Sequence, residues 1–305
     1  MFHLLQENLL LAPTGYSNEH LENFKARIYL KMEWNALEKA ILSTDNERNE
    51  AIKAAIAFRS YRRELFTEAT KNENLFENHE GIAEYNGRLV YYGKGEELLN
   101  YIWEVKNKIL NMSNFSKIFG YYSGLLYGFL LDESSLNWRK EIKKNNDLGD
   151  LLLKVYNLKF NFFDVSLKKK LLKEYKFEQL KESEKILIES FEENKKFIET
   201  LFSKNTTLKI PLISPSISCN QNASVLLNNN CYYYPYINIT DVWGMLVIKN
   251  GGCYISEYQK FVVFLSESFS CENGIFCSQN WQLEIFEDWE IIPNDTNFEV
   301  AQKII

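Results

Sequence analysis

Glu73, Glu77, Glu80 and Glu84 recur at the three- and four-residue spacing that stacks side chains on one face of a helix. On a wheel of about 100° per residue they fall within about 60° of one another. Leu75, Phe76, Ile82, Ala83, Leu89 and Val90 fill the opposing arc. The plain reading of such a face is a solvated acidic stripe. Glu80 stands apart because it sits at the border, close in angle to Phe76 and Ala83. From that position a carboxylate can point into a cleft, where it can ligate a metal or handle a proton. Gly81 after it and Gly87 near the same face leave room for another segment to approach.

The stretch Asn78-His79-Glu80-Gly81-Ile82-Ala83-Glu84-Tyr85 is similar to the Asn-Glu-Gly-aliphatic-Ala-x-Tyr stretch of gluzincin zinc metallopeptidases. His79 stands where Asn is common, with Asn78 one residue further back. In that family a helix bearing His-Glu-x-x-His supplies two histidine ligands from one face, and the later helix supplies a glutamate. The glutamate between the histidines takes a proton from the zinc-bound water. The resemblance implies that Glu80 is a zinc ligand. It also draws His3 in as the second histidine, with Met1 and Phe2 as the two variable residues. The first histidine and the general base would then precede Met1. Phe2, Leu4 and Leu5 suit a buried helix and are entered without a cap, so the expectation is a motif cut within its first half. The resemblance implies a zinc-dependent peptidase-like protein acting on peptide or protein substrates. The chain as given would hold zinc weakly or not at all and would be inactive. Two helices, about Asn18 to Leu42 and Asn46 to Glu68, would separate His3 from Glu80, a longer insertion than is common in that family. The resemblance covers roughly residues 1–90.

Other residues could contribute chemistry. Gly120, Gly124 and Gly128 repeat every fourth residue, which marks a buried central helix with a close neighbour. Tyr121, Tyr122 and Tyr127 lie on it. Peptidases of this general kind often use a tyrosine hydroxyl to stabilise an oxyanion, and Tyr122 is the candidate, with core packing as the plain alternative. Arg59, Arg62 and Arg63 read as surface ion pairs. The sharper options are that they hold a substrate carboxylate or orient the glutamates of the next helix. Tyr232-Tyr233-Tyr234-Pro235-Tyr236 reads as a half-buried strand edge or a stacking surface.

The elements that must position these groups fall into two kinds. Residues 1–205 are expected to be all-helical, with helices near Leu4, His20–Leu42, Asp45–Leu65, Glu73–Tyr91, Glu96–Leu110, Phe115–Leu131, Leu148–Tyr156, Leu167–Tyr175 and Phe177–Phe202. Residues 206–305 carry short β-branched and aromatic runs between Asn, Gly, Ser and Pro clusters, and are expected to form a small, mainly antiparallel β domain. Asn250-Gly251-Gly252 reads as a hairpin turn between two such runs. The fold class is therefore α+β.

Composition narrows the partners. The 305 residues are 46% hydrophobic and 15% aromatic, enough for a sizeable core. A net charge of -6 argues against a nucleic-acid partner. No apolar run is long enough to cross a bilayer, since Ile118–Leu131 is bounded by Lys117 and Asp132. Cys219, Cys231, Cys253, Cys271 and Cys277 match no metal-site spacing; one or two disulfides in an exported protein, or buried thiols, are the options. Met1–Gln6 has no signal-peptide pattern, and localisation stays open. The alternative to a peptidase is a non-enzymatic scaffold whose β domain binds a partner.

Overall fold

The computed structural model describes residues 17–303 apart from 113, 135–136, 143–145, 160–164, 221–222, 228–230, 257–258 and 267. The helix expected near Leu4, and His3 with it, lie outside the described residues. The helices are α1 Phe24–Leu42, α2 Asp45–Arg63, α3 Ala69–Phe76, α4 Ile82–Tyr92, α5 Glu96–Ile109, α6 Phe119–Asp132, α7 Leu148–Val155, α8 Val165–Glu174 and α9 Phe177–Lys204. The strands are β1 Thr207–Pro211, β2 Ser216–Cys219, β3 Val225–Leu226, β4 Tyr232–Tyr234, β5 Ile237–Asp241, β6 Gly244–Ile248, β7 Cys253–Ile255, β8 Phe261–Leu265, β9 Ser270–Glu272, β10 Ile275–Cys277, β11 Trp281–Ile285, β12 Trp289–Asn294 and β13 Asn297–Gln302. The fold is thus α+β, helices first and strands after. Helix gives way to strand between Lys204 and Thr207, while the compact units, Met1–Ile188 and Glu189–Ile305, part inside α9.

In the first unit α6 is the central helix. Tyr122, Leu125, Leu126, Tyr127, Leu130 and Leu131 have no exposed surface, as expected of a helix apolar on every side. α1 packs against it and pairs closely with α2, and α4 and the turn before it, Glu77–Gly81, also lie against α6. Local signals set the helix starts: Asn23 accepts from the Lys25 amide at 3.0 Å, and Asp147 accepts from the Gly149 amide at 2.7 Å. The glycines of α6 are where backbones meet. A Cβ on Gly124 would lie 2.2 Å from the Gly81 carbonyl carbon, and one on Gly128 would strike the Tyr85 ring at 2.4 Å.

That crossing coincides with a departure from the expected single helix over Glu73–Tyr91. α3 and α4 are joined by a π-helical turn, Glu77–Gly81, closed by the Ile82 amide on the Glu77 carbonyl. Such a turn holds one residue more than an α turn, and it breaks the register assumed for the acidic face. Val90, expected on the apolar arc, is 86% exposed, whereas Glu73 and Glu77 have no exposed surface. The first half of the acidic stripe, Glu73 and Glu77, is therefore not solvated, while Glu80 and Glu84 are partly exposed.

The second unit holds two sheets, ordered β12-β13-β1-β8-β7-β4-β3 and β2-β5-β6-β11-β10-β9. In the first sheet the neighbouring strands are antiparallel except β1 with β13. Leu208, Val262, Phe264 and Val300 from that sheet share one buried cluster with Ile239, Leu246, Trp281 and Leu283 from the second. β5 and β6 alternate buried and solvent-facing residues, as strands covered on one face must. Asn250-Gly251-Gly252 is not a hairpin turn. β6 pairs with β5 and β11, and β7 with β4 and β8, so the segment carries the chain from one sheet to the other. Gly251 and Gly252 take φ of +76° and +70° there, and a Cβ on Gly252 would meet the Tyr233 ring at 2.2 Å.

The described residues include all five cysteines, and none of them is joined in a disulfide, so the disulfide option fails. Cys271 faces Phe276 and Cys277 faces Ser270 across β9 and β10. Their register places the two thiols on opposite faces of the sheet. Among the described residues no helix is long and apolar enough to cross a membrane.

Gly124→Ala is expected to destabilise the helical unit by roughly 2 kcal/mol, since the main chain of Gly81 cannot yield as a side chain would. Gly87→Ala, where a Cβ meets nothing within 4 Å, is expected to stabilise it by about 0.5–1 kcal/mol. Urea unfolding followed by helical circular dichroism measures both; equal effects would overturn the backbone-contact reading.

Candidate functional site

Glu80 lies in the π turn with its side chain 20% exposed. Its Oε2 accepts a hydrogen bond from the Tyr121 hydroxyl at 3.0 Å, and its Oε1 lies 2.9 Å from Nδ1 of His79. Tyr121 comes from the first turn of α6, which the glycine crossing brings against the π turn. Glu80 is half-buried there, and its hydroxyl partner is Tyr121. Tyr122 is fully buried and donates to Glu38 Oε1 at 2.8 Å, edge-on to the Trp34 ring. Burial, with the Glu38 carboxylate added, pushes its phenol well above the ordinary range. A role for Tyr122 at an oxyanion would require that bond to break.

Behind Glu80 the same helical run is held by buried charges. Arg62 grips Glu73 with two bonds, Nε to Oε1 at 2.9 Å and Nη2 to Oε2 at 2.7 Å, and also reaches Glu33. Arg59 donates to Glu33 Oε1 at 3.0 Å and to Glu77 Oε1 at 2.9 Å, and its Nε lies 3.2 Å from Asp147. Arg63 donates to Glu73 at 2.7 Å and to Asn74 Oδ1 at 2.7 Å, and pairs with Asp147. His20 Nε2 sits 2.8 Å from Glu73 Oε1, and the Tyr127 hydroxyl donates to Glu33 at 2.7 Å. The arginines are therefore not surface ion pairs. They orient the glutamates of the next helix, one of the two sharper options that the sequence allows.

The electrostatics follow from burial and these partners. Burial raises the Glu73 carboxyl, but Arg62 and Arg63 outweigh it and hold the group well below the usual range. Burial also raises Asp147, and Arg59 and Arg63 again outweigh it, leaving the group low. For Glu77 burial wins over Arg59 and the group is raised. Further along, Tyr85 donates to Asp132 at 2.7 Å, and Asp132 also accepts from Trp138 at 2.6 Å and from Arg139 at 2.8 Å. The helical run is thus fixed on both sides of Glu80.

Sequence reading missed His20, Glu33 and Asp147. Glu33 and His20 sit on segments that read as plain amphipathic helix, and nothing local marks them. A signal did exist for the pairing itself: arginines spaced by three on α2 face glutamates spaced by four on α3 and the π turn.

Among the described residues no three His, Cys, Asp or Glu side chains converge to hold a metal ion. Glu80 offers one carboxylate, with a phenol on one oxygen of the kind that orients a metal ligand. His3 lies outside the described residues. No protein family, curated protein or solved structure matches the chain.

Glu73→Gln leaves Arg62 and Arg63 short of a buried counter-charge, at an expected cost of about 3 kcal/mol. Because Glu73 and Asp147 are depressed in the folded state, their contribution is complete above their unfolded values and is lost as pH falls. Glu77, being raised, works in the opposite sense just above its unfolded value. Urea unfolding at about pH 6 and about pH 3 should show a stability loss in acid that is smaller for Glu73→Gln than for the parent. An equal loss in both proteins would show that Glu73 does not carry the effect.

Proposed function

We propose that the helical unit is a gluzincin-like zinc-peptidase scaffold, in which Glu80 and His3 are metal ligands and the substrate is a peptide or protein. The observation that carries the reading is the placement of Glu80. Glu80, the residue matched to a ligand glutamate, lies in the π turn beyond the buried Glu73 and Glu77 and accepts from the Tyr121 hydroxyl, whereas Glu84, equally exposed, is tied to Arg88 as well as to a tyrosine, Tyr101. A bound zinc would supply an activated water for attack on a peptide carbonyl. The chain's own contribution is positional. Tyr121 holds one oxygen of Glu80, the arginines of α2 fix the helix behind it, and the Gly81–Gly124 approach fixes the helix beside it.

The 305 residues contain His3, His20 and His79, and no His-Glu-x-x-His. A catalytic zinc site takes three protein ligands, and hydrolysis needs a general base. The chain by itself therefore falls short of a working peptidase.

Calorimetric titration with zinc is expected to show weak binding by this chain, lost in His3→Ala and in Glu80→Gln, with no hydrolysis of a peptide library. Tight zinc binding that persists in Glu80→Gln would overturn the assignment. Peptide hydrolysis by this chain would overturn its inactivity.

A further inference from the structure

At the far end of α4 the chain turns sharply through Gly93 and Gly95, with φ of +72° and +153°, and α5 doubles back. The two helices leave between them a groove of about 480 Å³ lined by Tyr91, Tyr92, Glu97, Asn100, Tyr101 and Glu104. Tyr91 is 77% exposed, and its ring meets Tyr92 edge to face at 4.7 Å. Tyr92 lies 5.4 Å from Tyr101. Three aromatic rings are thus grouped at a surface where a lone exposed tyrosine would need no explanation.

Two further features say what would cover them. The groove's ionisable acids are Glu97 and Glu104; among the described residues no lysine or arginine pairs with Glu97, and Lys108 is 3.9 Å from Glu104. The C-terminal end of α4 adds the negative end of its dipole. The chain also makes the relevant contact within itself: the Arg88 guanidinium stands 4.5 Å over the Tyr101 ring, tied to Glu84 at 2.8 Å. A carboxylate beside a tyrosine face is the arrangement that holds a guanidinium.

We propose that this groove is a docking site for an arginine-bearing basic peptide segment, with a guanidinium over Tyr91 and its charge met by Glu97 and Glu104. The site is independent of zinc and of Glu80. A neutral sugar would use the rings and Asn100 but would leave the Glu97 carboxylate without a counter-charge.

The test is calorimetric titration of the full chain with a blocked peptide of alternating arginine and glycine. The same peptide with glutamate for arginine, and cellotriose, serve as comparators. Saturable binding of the arginine peptide is expected, weakened about threefold by Tyr91→Ala, about threefold by Glu97→Gln and about tenfold by both together. Tyr91→Phe should bind as the parent does. All these side chains are exposed, so the variants fold. Three results would overturn the proposal: no binding of the arginine peptide at millimolar concentration, binding unchanged by Tyr91→Ala and Glu97→Gln, or binding of cellotriose instead.

Discussion

Arg62 has no exposed surface, and everything around it must answer for its charge. An isolated guanidinium taken from water costs several kcal/mol even after relaxation, so it stays buried only if carboxylates and hydrogen bonds surround it. Glu33 and Glu73 do this for Arg62, and Glu77 and Asp147 do it for Arg59. These partners come from α1, α3, the π turn and the start of α7, so one charge requirement draws four separate pieces of chain to α2. The face of α3 that reads as a solvated stripe is instead its most deeply buried face. Removing the network in favour of packed apolar side chains could leave the unit as stable. What it adds is a single admissible docking of α3 on α2, with donors and acceptors that match in one register.

The π turn then separates two tasks on one helical run. Glu73 and Glu77 are committed to the arginines. Glu80, within the wide turn, is half-buried with a phenol on one oxygen. On a regular α-helix Glu80 would fall within about 60° of Glu73 and Glu77, and the extra residue of the π turn changes its angle relative to them. Wide turns of this type occur inside helices where a side chain has to be re-aimed, often at functional positions. The reading of Glu80 as a ligand is consistent with that habit.

Much of this organisation was legible in the sequence, and the parts that were not have identifiable causes. Helical periodicity placed α1, α2, α5, α6, α7, α8 and α9 close to their observed spans, because their apolar residues recur with the helical period. The glycines of α6 marked a close neighbour. The π turn was invisible, because a wheel drawn at constant angle cannot show an inserted residue. Burial of Arg59, Arg62 and Arg63 was missed because a charged residue reads as exposed until its partner on another helix is known. In the β unit, Asn250-Gly251-Gly252 signals a tight change of direction, and that is present. Which strand the chain then joins depends on long-range pairing between sheets, which a dipeptide signal does not encode. β2, β9 and β12, short or mostly exposed strands, had too little apolar alternation to stand out.

The contact between Gly81 and Gly124 has one more consequence. Where helices meet through large side chains, their spacing drifts as those side chains are exchanged over time. Here main chain lies against main chain, so the spacing is a fixed length set by atoms that every residue shares. Glu80 and Tyr121 each stand one residue from this crossing region, Glu80 beside Gly81 and Tyr121 beside Gly120. Their separation is therefore insulated from repacking elsewhere in the core. The hydrophobic residues of α1, α2 and α5 can vary in size while the gauge between carboxylate and phenol keeps its setting.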